Sequence, residues 1–197
     1  MDPRLADIRR TTKETDIALS LNIDSSETPR IITGLPFFDH LLYSMAFHGG
    51  FYLKIEASGD IEVDPHHLVE DTGLVLGDAF KKAAESGPAI NRFGHFIVPM
   101  DDSLSEATID ASGRPYLVYK ADYPQPNAGV FDIFLLKEFL KAFSDRAGVT
   151  LHAECRYGEN SHHMVEALFK AIGKALGMAY KPAAADKVLS TKGTLSK

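Results

Sequence analysis

The chain has 197 residues, a formal net charge of −6, 45% hydrophobic and 24% charged side chains, the balance of a globular protein of one domain or two small fused units. A negative charge with no long basic run excludes nucleic acid as an expected partner. The single cysteine, Cys155, excludes an internal disulfide and suits a reducing cytoplasm, and no apolar run approaches the ~18 residues expected of a membrane span.

The first four residues, Met1-Asp2-Pro3-Arg4, lack the apolar stretch of a signal peptide. Residues 5–13 and 15–24 alternate apolar with polar side chains, through Ile17, Leu19, Leu21 and Ile23, and are expected to be strands. Ser25 to Pro29 is a turn-rich connection. Gly34-Leu35-Pro36 opens a helix expected from Phe37 to about Phe47 and ended by Gly49-Gly50. A strand is expected at 51–57, and 59–65 lead into a helix over about 66–86. The pattern then starts again. Strands are expected at 96–100, 106–110 and 116–120, with Ser112-Gly113-Arg114-Pro115 as a turn. An amphipathic helix over 131–146, a strand at 149–155 and a helix over about 162–180 complete the set. The tail, 181–197, carries no expected element.

Superposing His66 on His162 brings the preceding strands together and sets His40 opposite Glu138. This internal repeat predicts an α+β fold of two similar units, residues 1–88 and 89–180, each a mostly antiparallel sheet with two helices on one face. Asp71 against Ala167 is the strongest departure from the repeat, and the sequence gives no reason for it.

The repeat carries chemistry. His66-His67-Leu68-Val69-Glu70 returns as His162-His163-Met164-Val165-Glu166. On a helix the first His and the Glu four residues later share one face, while the second His points roughly 100° away. Two such helices facing each other would hold two ions, each taking a His and a Glu from one helix and the remaining His from the other. Imidazoles and carboxylates without thiolate suit Mn, Fe, Co, Ni or Zn. The count leaves positions open for water or substrate, as a catalytic site requires. Arg92, Arg114, Lys170 and the stretch Ser190-Thr191-Lys192-Gly193 carry cations that could bind phosphate, although each alone also fits a solvated surface side chain. The residues leave open a metal enzyme acting on a phosphate compound, a dinuclear phosphoesterase and a metal-storage shell. The basic set speaks against storage, and the scarcity of Asp among the ligands against the phosphoesterase.

Thr33-Gly34-Leu35-Pro36-Phe37-Phe38-Asp39-His40, the two double-histidine runs, Asn91-Arg92-Phe93-Gly94, Ser112-Gly113-Arg114-Pro115-Tyr116 and Ser190-Thr191-Lys192-Gly193 closely resemble the imidazoleglycerol-phosphate dehydratase family, in the family's order, from about residue 4 to the C-terminus. The resemblance implies a ribosomal protein S5 domain 2-like fold. It also implies dehydration of imidazole-glycerol phosphate to imidazole-acetol phosphate in histidine biosynthesis, with two Mn ions per active site holding the substrate ring as imidazolate. A homo-oligomer of 24 subunits, with sites for the small phosphate substrate at subunit interfaces, is implied as well. By the same resemblance His40, His66, His67, Glu70, Glu138, His162, His163 and Glu166 are metal ligands. Glu14, with His40, His67 and Glu166, forms the catalytic set, and Glu14 is the expected acid–base group. Arg92, Arg114, Lys170, Ser190 and Lys192 are the expected phosphate contacts. His48 matches a family His near the metals, and His95 reads as a surface side chain or one that lies behind the ligands.

Overall fold

The computed structural model describes residues 3–184. The first half runs β1 (Leu5–Thr11), β2 (Thr15–Asn22), β3 (Arg30–Ile32), α1 (Pro36–Gly49), β4 (Tyr52–Gly59) and α2 (His66–Glu85). The second runs β5 (Phe93–Met100), β6 (Ser103–Asp110), β7 (Tyr116–Lys120), the short pair β8 (Asn127–Ala128) and β9 (Phe131–Asp132), α3 (Leu135–Ala147), β10 (Thr150–Tyr157) and α4 (Ser161–Ala179). The sheet orders, β1-β2-β4-β3 and β5-β6-β10-β7, are the same topology twice. In each sheet only the last pair, β3–β4 and β7–β10, is parallel. The fold is therefore α+β and internally duplicated, as the repeat predicts.

Several bounds differ from the sequence reading, and β5 and β6 each begin three residues earlier than expected, at Phe93 and Ser103. The helix expected from 131 begins at Leu135, because Phe131-Asp132 pairs with Asn127-Ala128 as a hairpin and the Asp132 carboxylate accepts the Phe134 N–H at 2.9 Å, fixing a turn there. The three-residue β3 was not expected, since so short a run shows no alternation.

Strand alternation turns Ile17, Leu19 and Leu21 of β2, and Leu151 and Ala153 of β10, toward the helices. Pro36 at the first turn of α1 and Gly50 in the left-handed region just past its end fix that helix, and Gly148 ends α3 in the same way. Helices α1 and α2 lie on the first sheet, α3 and α4 on the second, so the helices form the middle of a sheet–helix–helix–sheet stack. The pairing across the middle is crossed: α1 packs on α4, and α2 on α3. Aromatic rings join the halves, Phe38 meeting Phe139 at 5.3 Å and Phe80 meeting Phe143 at 5.7 Å.

Both crossings are close because they are glycine seams. A Cβ on Gly73 of α2 would sit 2.4 Å from the Phe139 carbonyl oxygen, and one on Gly173 of α4 would sit 2.1 Å from that of Met45. The Asp71/Ala167 asymmetry also has a structural reason. Asp71 accepts from Arg10 Nε at 2.9 Å and Thr15 Oγ1 at 2.6 Å, tying α2 to β1 and β2, whereas Ala167 is fully buried in α4.

Candidate metal centre and substrate site

Asn160 caps α4 by accepting the His162 N–H at 2.9 Å, which starts the helix with both imidazoles in its first turn. His162 and Glu166 then share a face, and the α1–α4 crossing brings His40 to them. His40 Nε2 and His162 Nε2 lie 3.0 and 3.2 Å from the same Glu166 oxygen, Oε2. One ligand atom from each of these three residues falls within a 4.8 Å span, the only such group among the described residues. Two imidazoles and a carboxylate without thiolate fit a borderline divalent cation. The other oxygen of Glu166 accepts from Lys170 Nζ at 2.7 Å. Burial alone would raise this carboxyl; Lys170 and His40 more than reverse that and hold it at about 2, ionised as a ligand must be.

The second crossing presents a related set. His66 Nε2 lies 3.4 Å from Glu70 Oε2 on α2. Glu138 stands in the first turn of the facing helix α3. The Lys141 ammonium is held charged chiefly by Asp145 and further by Glu138 and Glu70. The expectation that the two double-histidine helices face each other is therefore corrected for the single chain. Each takes its partner from the other half's first helix, because that is where the glycine seams let helices approach.

His67 and His163 turn away from these groups. The two rings of each pair are 6.0 Å apart at 85°, identically in both helices. His67 Nδ1 faces Asp60 Oδ2 at 3.1 Å and Glu14 Oε2 at 3.9 Å. His163 Nδ1 faces Asp102 Oδ1 at 2.6 Å. Asp60 raises the His67 pKa, against burial and with help from Glu14. His163 above all, and then the Glu159 N–H, hold Asp102 far below the usual carboxylate range. Sequence reasoning missed Asp60 and Asp102, which sit in connections.

The basic residues divide. Lys170 belongs to the Glu166 group. Arg92, held at a φ of 70°, donates from Nε and Nη2 to the two oxygens of Asp110 at 2.6 and 3.0 Å, and Arg114 Nη2 lies 3.6 Å from the same carboxylate. The backbone N–H of Arg92 donates to Ala179, at the far end of α4 from His163. His163 and Ala179 are sixteen helical steps apart, roughly 24 Å. The arginine pair and the His40 group of one chain thus stand at opposite ends of α4. Ser190 and Lys192 lie outside the described residues. His48, in the last turn of α1, has its pKa lowered by burial and then by Lys170 and Lys174. His95 is exposed on β5, 3.8 Å from Glu106, as expected of a surface side chain.

An open cleft of about 580 Å³, a size typical of small-ligand sites, borders His40, His162 and Glu166 and is walled by Leu35, Pro36, Phe37, Pro65, Val130 and Phe131. The Phe37 ring lies 4.9 Å from that of His162. No helix among the described residues is long and apolar enough to cross a membrane.

The family model described as imidazoleglycerol-phosphate dehydratase matches residues 33–176. An imidazoleglycerol-phosphate dehydratase of Pelobacter propionicus is 49% identical over 193 residues, covering 98% of this chain and 99% of the relative. One of Methanopyrus kandleri is 48% identical over 195 residues, covering 98% and 96%. The crystal structure of the Staphylococcus aureus enzyme of that name superposes with a TM-score of 0.83 at 35% identity, covering 91% of this chain and 99% of that one.

Proposed function

The chain belongs to the imidazoleglycerol-phosphate dehydratase family, and from that premise we propose that it dehydrates imidazole-glycerol phosphate to imidazole-acetol phosphate, a step of histidine biosynthesis, at a dinuclear metal site. The observation that carries the metal reading is the gathering of His40, His162 and Glu166 around one point beside a cleft. His66, Glu70 and Glu138 are the corresponding donors at the other crossing, and His67 and His163, turned away from both groups in one chain, complete the two sets from a neighbouring subunit. When bound, two divalent cations, manganese foremost, would hold the substrate's imidazole deprotonated, so that the electron-rich ring could push electrons outward and expel the hydroxyl on the neighbouring carbon.

The chain's own groups do the rest. Lys170 fixes one oxygen of Glu166 so that the other stays aimed at His40 and His162. Glu14 takes the proton from the carbon next to the one that loses hydroxide, and the resulting enol tautomerises to the ketone. Arg92 and Arg114 bind the phosphate, whose remote binding energy orients the three-carbon chain over the metals. Purified protein converts imidazole-glycerol phosphate to a ketone without releasing phosphate. Chelation abolishes the conversion and Mn2+ restores it; full activity in metal-free protein would overturn the reading.

The site also requires neighbouring copies. A three-carbon phosphate cannot reach from the His40 group to the Arg92–Arg114 pair of the same chain at opposite ends of α4. We therefore place each active site between subunits of a homo-oligomer in a reducing cytoplasm, a 24-subunit shell being the assembly that the resemblance implies. Mixing an inactive Arg114→Ala protein with an inactive His162→Ala protein and reassembling them restores part of the activity, because some sites receive both intact surfaces. Mixtures as dead as their components would place both surfaces in one chain's site.

A further inference from the structure

We infer that Asp60 and Asp102 are the positioning residues of the metal centre, holding His67 and His163 with Nδ1 protonated and Nε2 presented as donor; this rests on the metal reading above. An ionised carboxylate only accepts hydrogen bonds, so an imidazole nitrogen in hydrogen-bond contact with it carries the proton. Asp60 faces His67 Nδ1 at 3.1 Å and Asp102 faces His163 Nδ1 at 2.6 Å. The lone pair is left on Nε2 of each ring, and the carboxylate makes that nitrogen the better ligand.

The two halves reach this arrangement by different routes. Strands β2 and β6 are both eight residues long with nearly the same alternation of burial, so the residues just before them correspond: Glu14 and Asp102. Strands β4 and β10 correspond likewise, and the residues just after them are Asp60 and Gly158. At Gly158 there is no side chain to face His163, and a Cβ there would fall 2.4 Å from both Met164 Cγ and Ser103 Oγ. The hairpin tip supplies the carboxylate instead. Asp102 is locked in that role, accepting from the N–H groups of Glu159 at 2.5 Å and Asn160 at 3.1 Å and from Ser103 Oγ at 3.0 Å. In the first half Asp60 takes the orienting work. Glu14, with 56% of its side chain exposed and 3.9 Å from His67, is left unclamped to move a proton. Duplication thus supplied two hairpin-tip carboxylates, one held still and one kept free.

The test is a Mn2+ titration, by calorimetry, of the full metal-stripped protein and its variants. Asp60→Ala is expected to bind Mn2+ about 10–100-fold more weakly, the usual effect of losing such a partner, with the melting temperature of the metal-free protein unchanged. Asp102→Ala also frees the start of α4 and is replaced by Asp102→Asn, which keeps an acceptor for those N–H groups and is expected to weaken Mn2+ binding in the same direction. Glu14→Gln is expected to bind as the unsubstituted protein does. Asp60→Ala and Asp102→Asn both titrating normally would overturn the inference while leaving the metal reading standing. A loss confined to Glu14→Gln would assign the orienting role to the hairpin tip and overturn it for Asp60. Unsubstituted protein that takes up no Mn2+ would overturn the metal reading itself, and the inference with it.

Discussion

Glu14→Gln lowers kcat by about 10²-fold or more, the usual contribution of a positioned acid–base group, while metal content stays unchanged. The backbone around Glu14 is fixed: its N–H donates to Thr12 Oγ1 at 3.1 Å, and its carbonyl accepts the Asp60 N–H at 3.1 Å. The side chain is not, and it leans toward His67 from solvent. Glutamine has the same reach and preserves packing but cannot take a proton. Ketone formation in the steady state, read beside elemental analysis of the same sample, separates the two effects. Unchanged turnover would remove Glu14 from the reaction, and lost metal would make it a structural partner of the centre.

Gly173→Ala strikes the site through the fold. The added Cβ meets the Met45 carbonyl at 2.1 Å and the Gly49 nitrogen at 3.1 Å, both backbone atoms that cannot swing aside. Helices α1 and α4 must separate, and with them His40 from His162 and Glu166. Overpacking of this kind costs ~1–3 kcal/mol, lowering the melting temperature of a chain this size by roughly 2–12 °C. Mn2+ binding weakens in parallel, because one donor of three moves. A melting curve and titration like those of the unsubstituted protein would mean the helices are not held at contact distance by this seam.

Much of this was legible in the residues, for reasons that differ by element. Strands β2, β4 and β10 announce themselves because one face is buried and the other is not, and α1 because Pro36 and Gly50 bracket it. The two-residue strands β8 and β9 are too short to carry a period, so the apolar Phe131 and Ile133 passed for the start of a helix. His162 and Glu166 are a local pair, four residues apart, and any reading of helical faces finds them. What joins His40 to them is a helix crossing set by Gly173 and Gly177, and small residues at a seam leave no hydrophobic signal. Asp60 and Asp102 were invisible to helical spacing because they lie in connections. One clue was available: Asp102 stands before β6 as Glu14 stands before β2.

The crossed pairing of helices bears on how such a chain could have arisen. A polypeptide carrying one half alone has His66 and Glu70 on one helix and His40 on another, but lacks the helix that each requires opposite it. Such an ancestor could build a donor group only by embracing a second copy of itself, at a rate set by its concentration. Gene fusion turns that encounter into an intramolecular event, with an effective concentration on the order of millimolar for a short linker. Once joined, the copies were released from symmetry, and Asp71 and Gly158 mark where they diverged.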